Sequence, residues 1–277
     1  MIKNNIPNFI TCLNLLCGCV GIVFAFEGNL VWSAYMVGVA AVFDFLDGFA
    51  ARILKVHSEI GKQLDSMADM VSFGVLPGVV MYHLIYNSIN ISVPFQGYTT
   101  IKSWGPYMEN SSFGLFGPYI PYAGFLITIF SAIRLAKFNV DTRQTNSFIG
   151  LPTPANSILV CSFPLILFYQ CSGYVIDINT GIMSSASSTF KLIMNPYFLL
   201  FITVAFSLLL VAPLPLFALK FKNFGWADNK IRYIFLIICL LLLVCLQFVA
   251  IPIIILLYIL FSVVNNLTTK TKELKNK

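Results

Sequence analysis

Apolar residues fill this chain in long blocks separated by short polar stretches. A helix of about 20 apolar residues crosses the hydrocarbon layer of a bilayer, and several blocks reach that length. The blocks predict spans near residues 8–26, 30–54, 60–86, 118–139, 155–171 and 196–212. A last block, 231–264, is too long for one ordinary span and carries Gln247 and Pro252 near its middle, so it reads as a tight hairpin. That gives about eight spans. Pro7 suits the start of the first helix, and Glu27-Gly28-Asn29 closes it. The second and third spans are joined by a turn around 55–60, where Lys55, His57, Ser58 and Glu59 interrupt the pattern. Pro77 and Gly78 would kink or loosen the third. Residues 87–117 read as a polar, aromatic loop, 172–195 as a serine-rich loop, and the stretch after Pro213 and Pro215 as a basic linker.

Composition agrees with the pattern. The chain is 58% hydrophobic and 10% charged, with mean hydropathy +0.85, which excludes an ordinary soluble domain and predicts an all-α, polytopic membrane bundle. Only Lys3 precedes the first apolar run, and no small-x-small cleavage site leads into a soluble domain, so that run is expected to be a retained span. With eight spans both termini share a side. Of the 17 basic residues, all but Lys102 and Lys191 fall on that side, which places the termini in the cytoplasm. The expected location is the inner or plasma membrane. The basic tail after Leu267 reads as a lipid-headgroup contact and not a nucleic-acid site. The seven cysteines lie mostly within apolar runs without paired spacing and read as small buried hydrophobes. His57 and His83 stand alone, as expected of loop or helix-end residues and not of metal ligands.

Charge matters most between residues 44 and 69, where Asp44, Asp47, Glu59, Asp65 and Asp69 supply five of the eleven acidic residues. An aspartate at mid-membrane costs about 2.5–3.5 kcal/mol, so four would cost roughly 10–14 kcal/mol if uncompensated. The spacing suggests the compensation. Asp44 and Asp47 are three apart and Asp65 and Asp69 four apart, so each pair shares a helix face. If the chain folds back at 55–60, Asp44 comes level with Asp69 and Asp47 with Asp65. Four carboxylates at one depth repel unless one or two divalent cations ligate them, and oxygen-only ligands favour magnesium or manganese. Gly48, Ala51 and Gly61 clear bulk from the same faces, and Arg52 adds a forked donor suited to phosphate. Metal, clearance and an anion-binding arginine together suggest a metal-bound diphosphate. Packing of polar helix faces is the plainer account of the same residues.

The stretch resembles the CDP-alcohol phosphotransferase signature, D-x2-D-G-x2-A-R-x8-G-x3-D-x3-D, and carries a matching residue at every specified position from Asp44 to Asp69. Three further stretches resemble the membrane-integral CDP-diacylglycerol:serine O-phosphatidyltransferases: Leu64 to Val75, Ile133-Arg134-Leu-Ala-Lys137-Phe-Asn139, and Phe148-Ile-Gly150-Leu-Pro152-Thr-Pro-Ala155. The likeness runs from Pro7 to about residue 215. It implies a six-helix catalytic core over residues 1–215, followed by a linker, hairpin and basic tail over 216–277.

The resemblance also implies a reaction: transfer of a phosphatidyl group from CDP-diacylglycerol to the hydroxyl of L-serine, with release of CMP. Asp44, Asp47, Asp65 and Asp69 would hold two ions of Mg2+ or Mn2+, and Asp69 would serve as general base. Asn8, Thr11, Asp47, Gly48, Ala51, Arg52, Gly61 and Asp65 would line the CDP pocket. Arg134, Lys137 and Asn139 would receive serine, and the expected assembly is a homodimer. The family commonly has arginine where Lys137 stands, and lysine lacks the planar fork, so Arg134 is the expected carboxylate partner. Taken without the resemblance, Arg134 and Lys137 read as bases snorkelling at a helix end.

Two other readings remain at this stage. A phosphorylated acceptor, glycerol 3-phosphate or inositol phosphate, needs more cationic donors than one carboxylate does, and Arg134, Lys137 and Arg143 could supply them. Intramembrane aspartates also occur in divalent cation transporters. That second account leaves the spacing of Gly48, Ala51, Arg52 and Gly61 without a reason.

Overall fold

The computed structural model describes residues 2–56, 58–89, 114–140, 148–170, 187–216 and 226–275. Helices dominate. The helix α1 (Ile2–Phe26) leads into α2 (Leu30–Leu54), which starts where the Asn29 side chain accepts from the Trp32 amide and stops where Lys55 adopts a left-handed conformation, φ 53°. The next helix, α3 (Glu59–Asp69), starts at Ser58, whose hydroxyl accepts from the Gly61 amide. It continues through a wide π-helical turn, Met70–Val75, into α4 (Leu76–Ile89). A 3-10 segment, Gly114–Gly124, precedes α5 (Phe125–Val140). There follow β1 (Phe148–Ile149), α6 (Thr153–Gln170), α7 (Ser188–Ile193), α8 (Pro196–Val211), β2 (Pro215–Leu216), α9 (Trp226–Leu246) and α10 (Ala250–Lys275).

Among the described residues four helical stretches are long and apolar enough to cross a membrane: Asn5–Phe26, Glu59–Ile89, Phe116–Val140 and Tyr233–Val264. The chain is therefore a polytopic helical membrane protein. Its outward faces carry Phe9, Phe45, Phe49, Phe201 and Leu240, all exposed, as expected of side chains that meet lipid and not water. The core is formed where α1, α2, α4 and α6 meet, with Leu30, Phe73, Leu76, Met81, Leu84 and Leu159 almost wholly buried.

The last apolar stretch does fold back. Phe235 of α9 stacks near both Tyr258 and Phe261 of α10, with ring centroids 6.0 and 5.9 Å apart, which requires a reversal near Gln247. Gln247 has φ 49° there. Gln170 at the end of α6 grips the turn at both ends: its Nε2 donates to the Leu246 carbonyl and its Oε1 accepts from the Val249 amide, each at 3.0 Å.

Some expectations need correction. Helix α1 begins at Ile2, so Pro7 lies inside it and does not open it. Residues 188–193, expected to be loop, form α7, because the Ser187 hydroxyl accepts from the Phe190 amide. His83 is not a helix-end residue: it is fully buried within α4, edge-on to Phe26 and Tyr82. His57, Arg143, Lys102, most of the loop 87–117 and residues 171–186 lie outside the described residues.

The pairing of β1 with β2 had no forewarning. Phe148 lies opposite Leu216 and Ile149 opposite Pro215, antiparallel. The expected domain seam after residue 215 falls inside β2. Beside the pair, Gly150 has φ 78°, and a β-carbon on it would lie 2.5 Å from the Leu210 carbonyl oxygen. Gly150→Ala should therefore destabilise the protein by at least about 1–2 kcal/mol from the left-handed backbone alone. Thermal unfolding in detergent micelles measures this; an unchanged melting temperature would mean that the backbone at residue 150 leaves the left-handed region, and the Leu210 carbonyl moves aside, at no cost.

Candidate active site

The turn at 55–58 brings α2 and α3 together as the spacing predicts. Asp44, Asp47 and Asp65 each offer a carboxylate oxygen, and these oxygens all lie within 4.8 Å of one another. Hard divalent ions bind oxygen at about 2.0–2.6 Å, so three donors at this separation can share one ion. Asp47 is buried and Asp44 and Asp65 are half-buried. One Asp65 oxygen is shielded from solvent and has no hydrogen-bond donor facing it, as a carboxylate oxygen reserved for a cation would be. The residues present thus fit a divalent metal.

Helix α1 supports this cluster from the other side. Thr11 Oγ1 lies 2.7 Å from Asp47 Oδ2 and 3.0 Å from the Pro7 carbonyl, and its single proton can serve either acceptor. Asn14 Nδ2 donates to Asp69 Oδ1 at 3.2 Å. The approach depends on a small residue: a β-carbon on Gly18 would lie 3.0 Å from the Ser72 backbone, so α1 and the wide turn touch main chain to main chain. Ser72 Oγ closes the contact by donating to the Asn14 carbonyl at 2.9 Å.

Asp69 is the last residue before the wide turn, in which the Leu76 amide bonds back to Val71. Such turns are rare and recur at functional sites. Here the turn meets α5 as closely as it meets α1. Thr128 Oγ1 donates to the Gly74 carbonyl at 3.0 Å, and a β-carbon on Gly74 would lie 3.2 Å from that of Ser131. One turn beyond Ser131, Arg134 is 8% exposed and close enough to Asp69 and to Tyr258 of α10 to interact electrostatically with both.

Between α1, α2 and α3 lies a cleft of about 220 Å³. Asn8, Thr11, Asp47, Gly48, Ala51, Gly61 and Asp65 line it, which is seven of the eight residues expected around CDP. Arg52 is the one left out: it is exposed, and its Nε donates to the Gly48 carbonyl at 2.9 Å. Gly48 keeps the wall open, since a β-carbon there would meet nothing within 4 Å. Ser58 and Lys62 also line the cleft and were not anticipated. Lys62 follows the signature glycine at an unspecified position, so only its charge could have drawn notice.

The three residues expected to bind serine separate in the structure. Arg134 lies close enough to Asp69 to interact with it electrostatically. Asn139 is engaged elsewhere: its Nδ2 donates to Ser66 Oγ at 2.9 Å, and its carbonyl accepts from Lys62 Nζ at 3.3 Å, which clamps the end of α5 to α3. Lys137 is exposed.

Comparison with known proteins follows the same lines. The chain is 33% identical over 156 residues to the CDP-diacylglycerol–serine O-phosphatidyltransferase of Helicobacter pylori, a match covering 56% of this chain and 54% of that protein. It is 32% identical over 168 residues to the archaetidylserine synthase of Methanothermobacter thermautotrophicus, covering 60% of each. A CDP-diacylglycerol–serine O-phosphatidyltransferase of Methanocaldococcus jannaschii is 27% identical over 229 residues, 83% of this chain and 94% of that protein. The first of these matches span only about half the length of the relative. The sequence model of one family covers residues 4–193, from α1 with its Thr11 and Asn14, through all four aspartates, to the end of α7. The chain belongs to the CDP-alcohol phosphatidyltransferase family.

Proposed function

We propose that the protein transfers the phosphatidyl group of CDP-diacylglycerol to the hydroxyl of L-serine, yielding phosphatidylserine and CMP. The observation that carries this is the junction of a cleft with a carboxylate cluster: Asp47 and Asp65, which line the cleft, also belong with Asp44 to the group spaced for a divalent ion. The names of the relatives support serine as acceptor. So does Arg134, the one buried guanidinium among the described residues, which interacts electrostatically with Asp69. One carboxylate needs one such donor, whereas a phosphorylated acceptor needs more, and Lys137 is exposed.

In this reading Asp44, Asp47, Asp65 and Asp69 hold two ions, Mg2+ or Mn2+. Bound there, they would neutralise the diphosphate and the charge developing on CMP. The chain's own residues position and move the proton. Asn8, Thr11, Gly48, Ala51, Gly61 and Lys62 hold the nucleotide in the cleft, and Arg134 holds the serine carboxylate. Asp69 takes the hydroxyl proton as the serine oxygen bonds to the β-phosphorus and the bond from that phosphorus to the CMP oxygen breaks. Positioning and preorganised charge supply most of the rate. The cleft opens toward the basic, cytoplasmic side of the inner or plasma membrane, while the acyl chains lie between helices in lipid, and two chains associate as a homodimer.

An acceptor panel tests the proposal. Purified full-length protein receives CDP-diacylglycerol and a divalent ion, with L-serine, glycerol 3-phosphate or inositol phosphate, and CMP is measured. Serine alone should support rapid release. Release driven by a phosphorylated acceptor would replace the serine assignment, and divalent flux into vesicles without lipid substrate would replace the enzyme reading.

A further inference from the structure

Helical serines and threonines buried in a bundle usually satisfy themselves by donating to the carbonyl three or four residues back. Ser88, Ser162 and Thr203 do so, at 2.8, 2.6 and 2.7 Å. Among the described residues four other buried serines do not: Ser33, Ser131, Ser157 and Ser207. Ser131 of α5, Ser157 of α6 and Ser207 of α8 are at most 1% exposed, and none of their hydroxyls has a partner. Asn156, fully buried beside Ser157 in the chain, leaves both its amide nitrogen and its oxygen unpartnered. Unpaired groups of this kind are costly in a membrane interior, and native proteins keep few of them.

Apart from Ser33, near the start of α2, these groups sit on elements that pack together. The Leu151 amide donates to the Leu209 carbonyl at 3.0 Å and the Gly150 amide to the Leu214 carbonyl at 2.9 Å, so the start of α6 is fastened to the end of α8. Asn156 and Ser157 stand in the first turn or so of α6, and Ser207 about one turn before the end of α8. Ser131 packs on Gly74 in the wide turn after Asp69, on the same face of α5 as Arg134 three residues on. The unpartnered atoms therefore belong to elements that adjoin the wide turn or α5: α5 and α6 pack on the turn that follows Asp69, and α8 packs on α5, which carries Arg134.

We propose that Asn156, with Ser131, Ser157 and Ser207, forms an uncharged oxygen-lined subsite that holds the ammonium group of the amino-acid acceptor. This rests on the serine reading above and deepens it. Serine brings three groups: the hydroxyl goes to Asp69, the carboxylate to Arg134, and the ammonium still needs acceptors. Asn156 Oδ1 and three hydroxyl oxygens can receive its three N–H bonds. With Asp69 and Arg134 already of opposite charge, a neutral layer suits a zwitterion and disfavours a phosphate dianion, which requires donors and positive charge.

The test uses purified full-length protein, L-serine and CDP-diacylglycerol, with two competitors: ethanolamine, which lacks the carboxylate, and 3-hydroxypropanoate, which lacks the ammonium. Asn156→Ala should raise the serine KM about tenfold or more and weaken inhibition by ethanolamine similarly, leaving inhibition by 3-hydroxypropanoate and the KM for CDP-diacylglycerol unchanged. Arg134→Ala should do the reverse, weakening 3-hydroxypropanoate and sparing ethanolamine. Asn156→Asp keeps an oxygen acceptor and should restore the serine KM, which a packing role would not require. Equal loss of both competitors in Asn156→Ala, no loss of either, no rescue by aspartate, or a parent enzyme that ethanolamine does not inhibit would each overturn the subsite. A parent enzyme indifferent to serine but active with another acceptor would instead overturn the reading on which it rests.

Discussion

Asp69→Asn is expected to slow CMP release by about 10²–10⁴-fold, the range that a positioned general base contributes. Asparagine has the same shape, and its side-chain oxygen can still accept the bond from Asn14 Nδ2 that Asp69 receives at 3.2 Å. What it lacks is the capacity to take the proton of the acceptor hydroxyl. The protein should insert and bind CDP-diacylglycerol normally. Because Asp69 also holds an ion in this reading, the divalent concentration for half-maximal activity should rise as well, and turnover should stay low when that concentration is saturating. Near-normal turnover would remove Asp69 from the base role.

The second large effect is that of metal removal. Chelation with EDTA should reduce turnover to background, and Mg2+ or Mn2+ should restore it. Bringing Asp44, Asp47 and Asp65 together is repulsive without positive charge between them, and a Lewis-acidic ion at transferring phosphoryl oxygens contributes several kcal/mol to transition-state stabilisation. Asp47→Asn should raise the divalent concentration required, because Asp47 is the most buried of the three and is fixed by the Thr11 hydroxyl. Turnover unaffected by thorough chelation would remove the metal from the mechanism.

The sequence reveals the aspartate cluster because helical spacing turns residue numbers into faces, and a reversal near residue 57 then fixes which carboxylates meet. The bounds of α2 were equally readable: Asn29 caps its start, and the charged turn begins where it ends. Arg52 shows where such reasoning stops. The signature demands an arginine, yet its orientation depends on the Gly48 carbonyl and on open space, neither of which leaves a local trace. The pairing of Phe148–Ile149 with Pro215–Leu216 joins segments more than sixty residues apart, and short proline-containing pieces carry no strand periodicity. The layer around Asn156 escaped notice because unpartnered hydroxyls become visible only when every neighbour has been placed.

The wide turn at Met70–Val75 acts as one surplus residue in an otherwise continuous rod. Helical wheels drawn through 59–89 without it would rotate everything after Asp69 by about 100° relative to the aspartates. Deleting any one residue of that segment would leave the rod's length almost unaltered, yet it would force a choice. Either the carboxylates keep their phase and the packing of Leu76, Val80 and Leu84 slips, or the packing holds and Asp69 swings off Asn14. Phase alone, with no side chain changed, would then separate the proton acceptor from its neighbours.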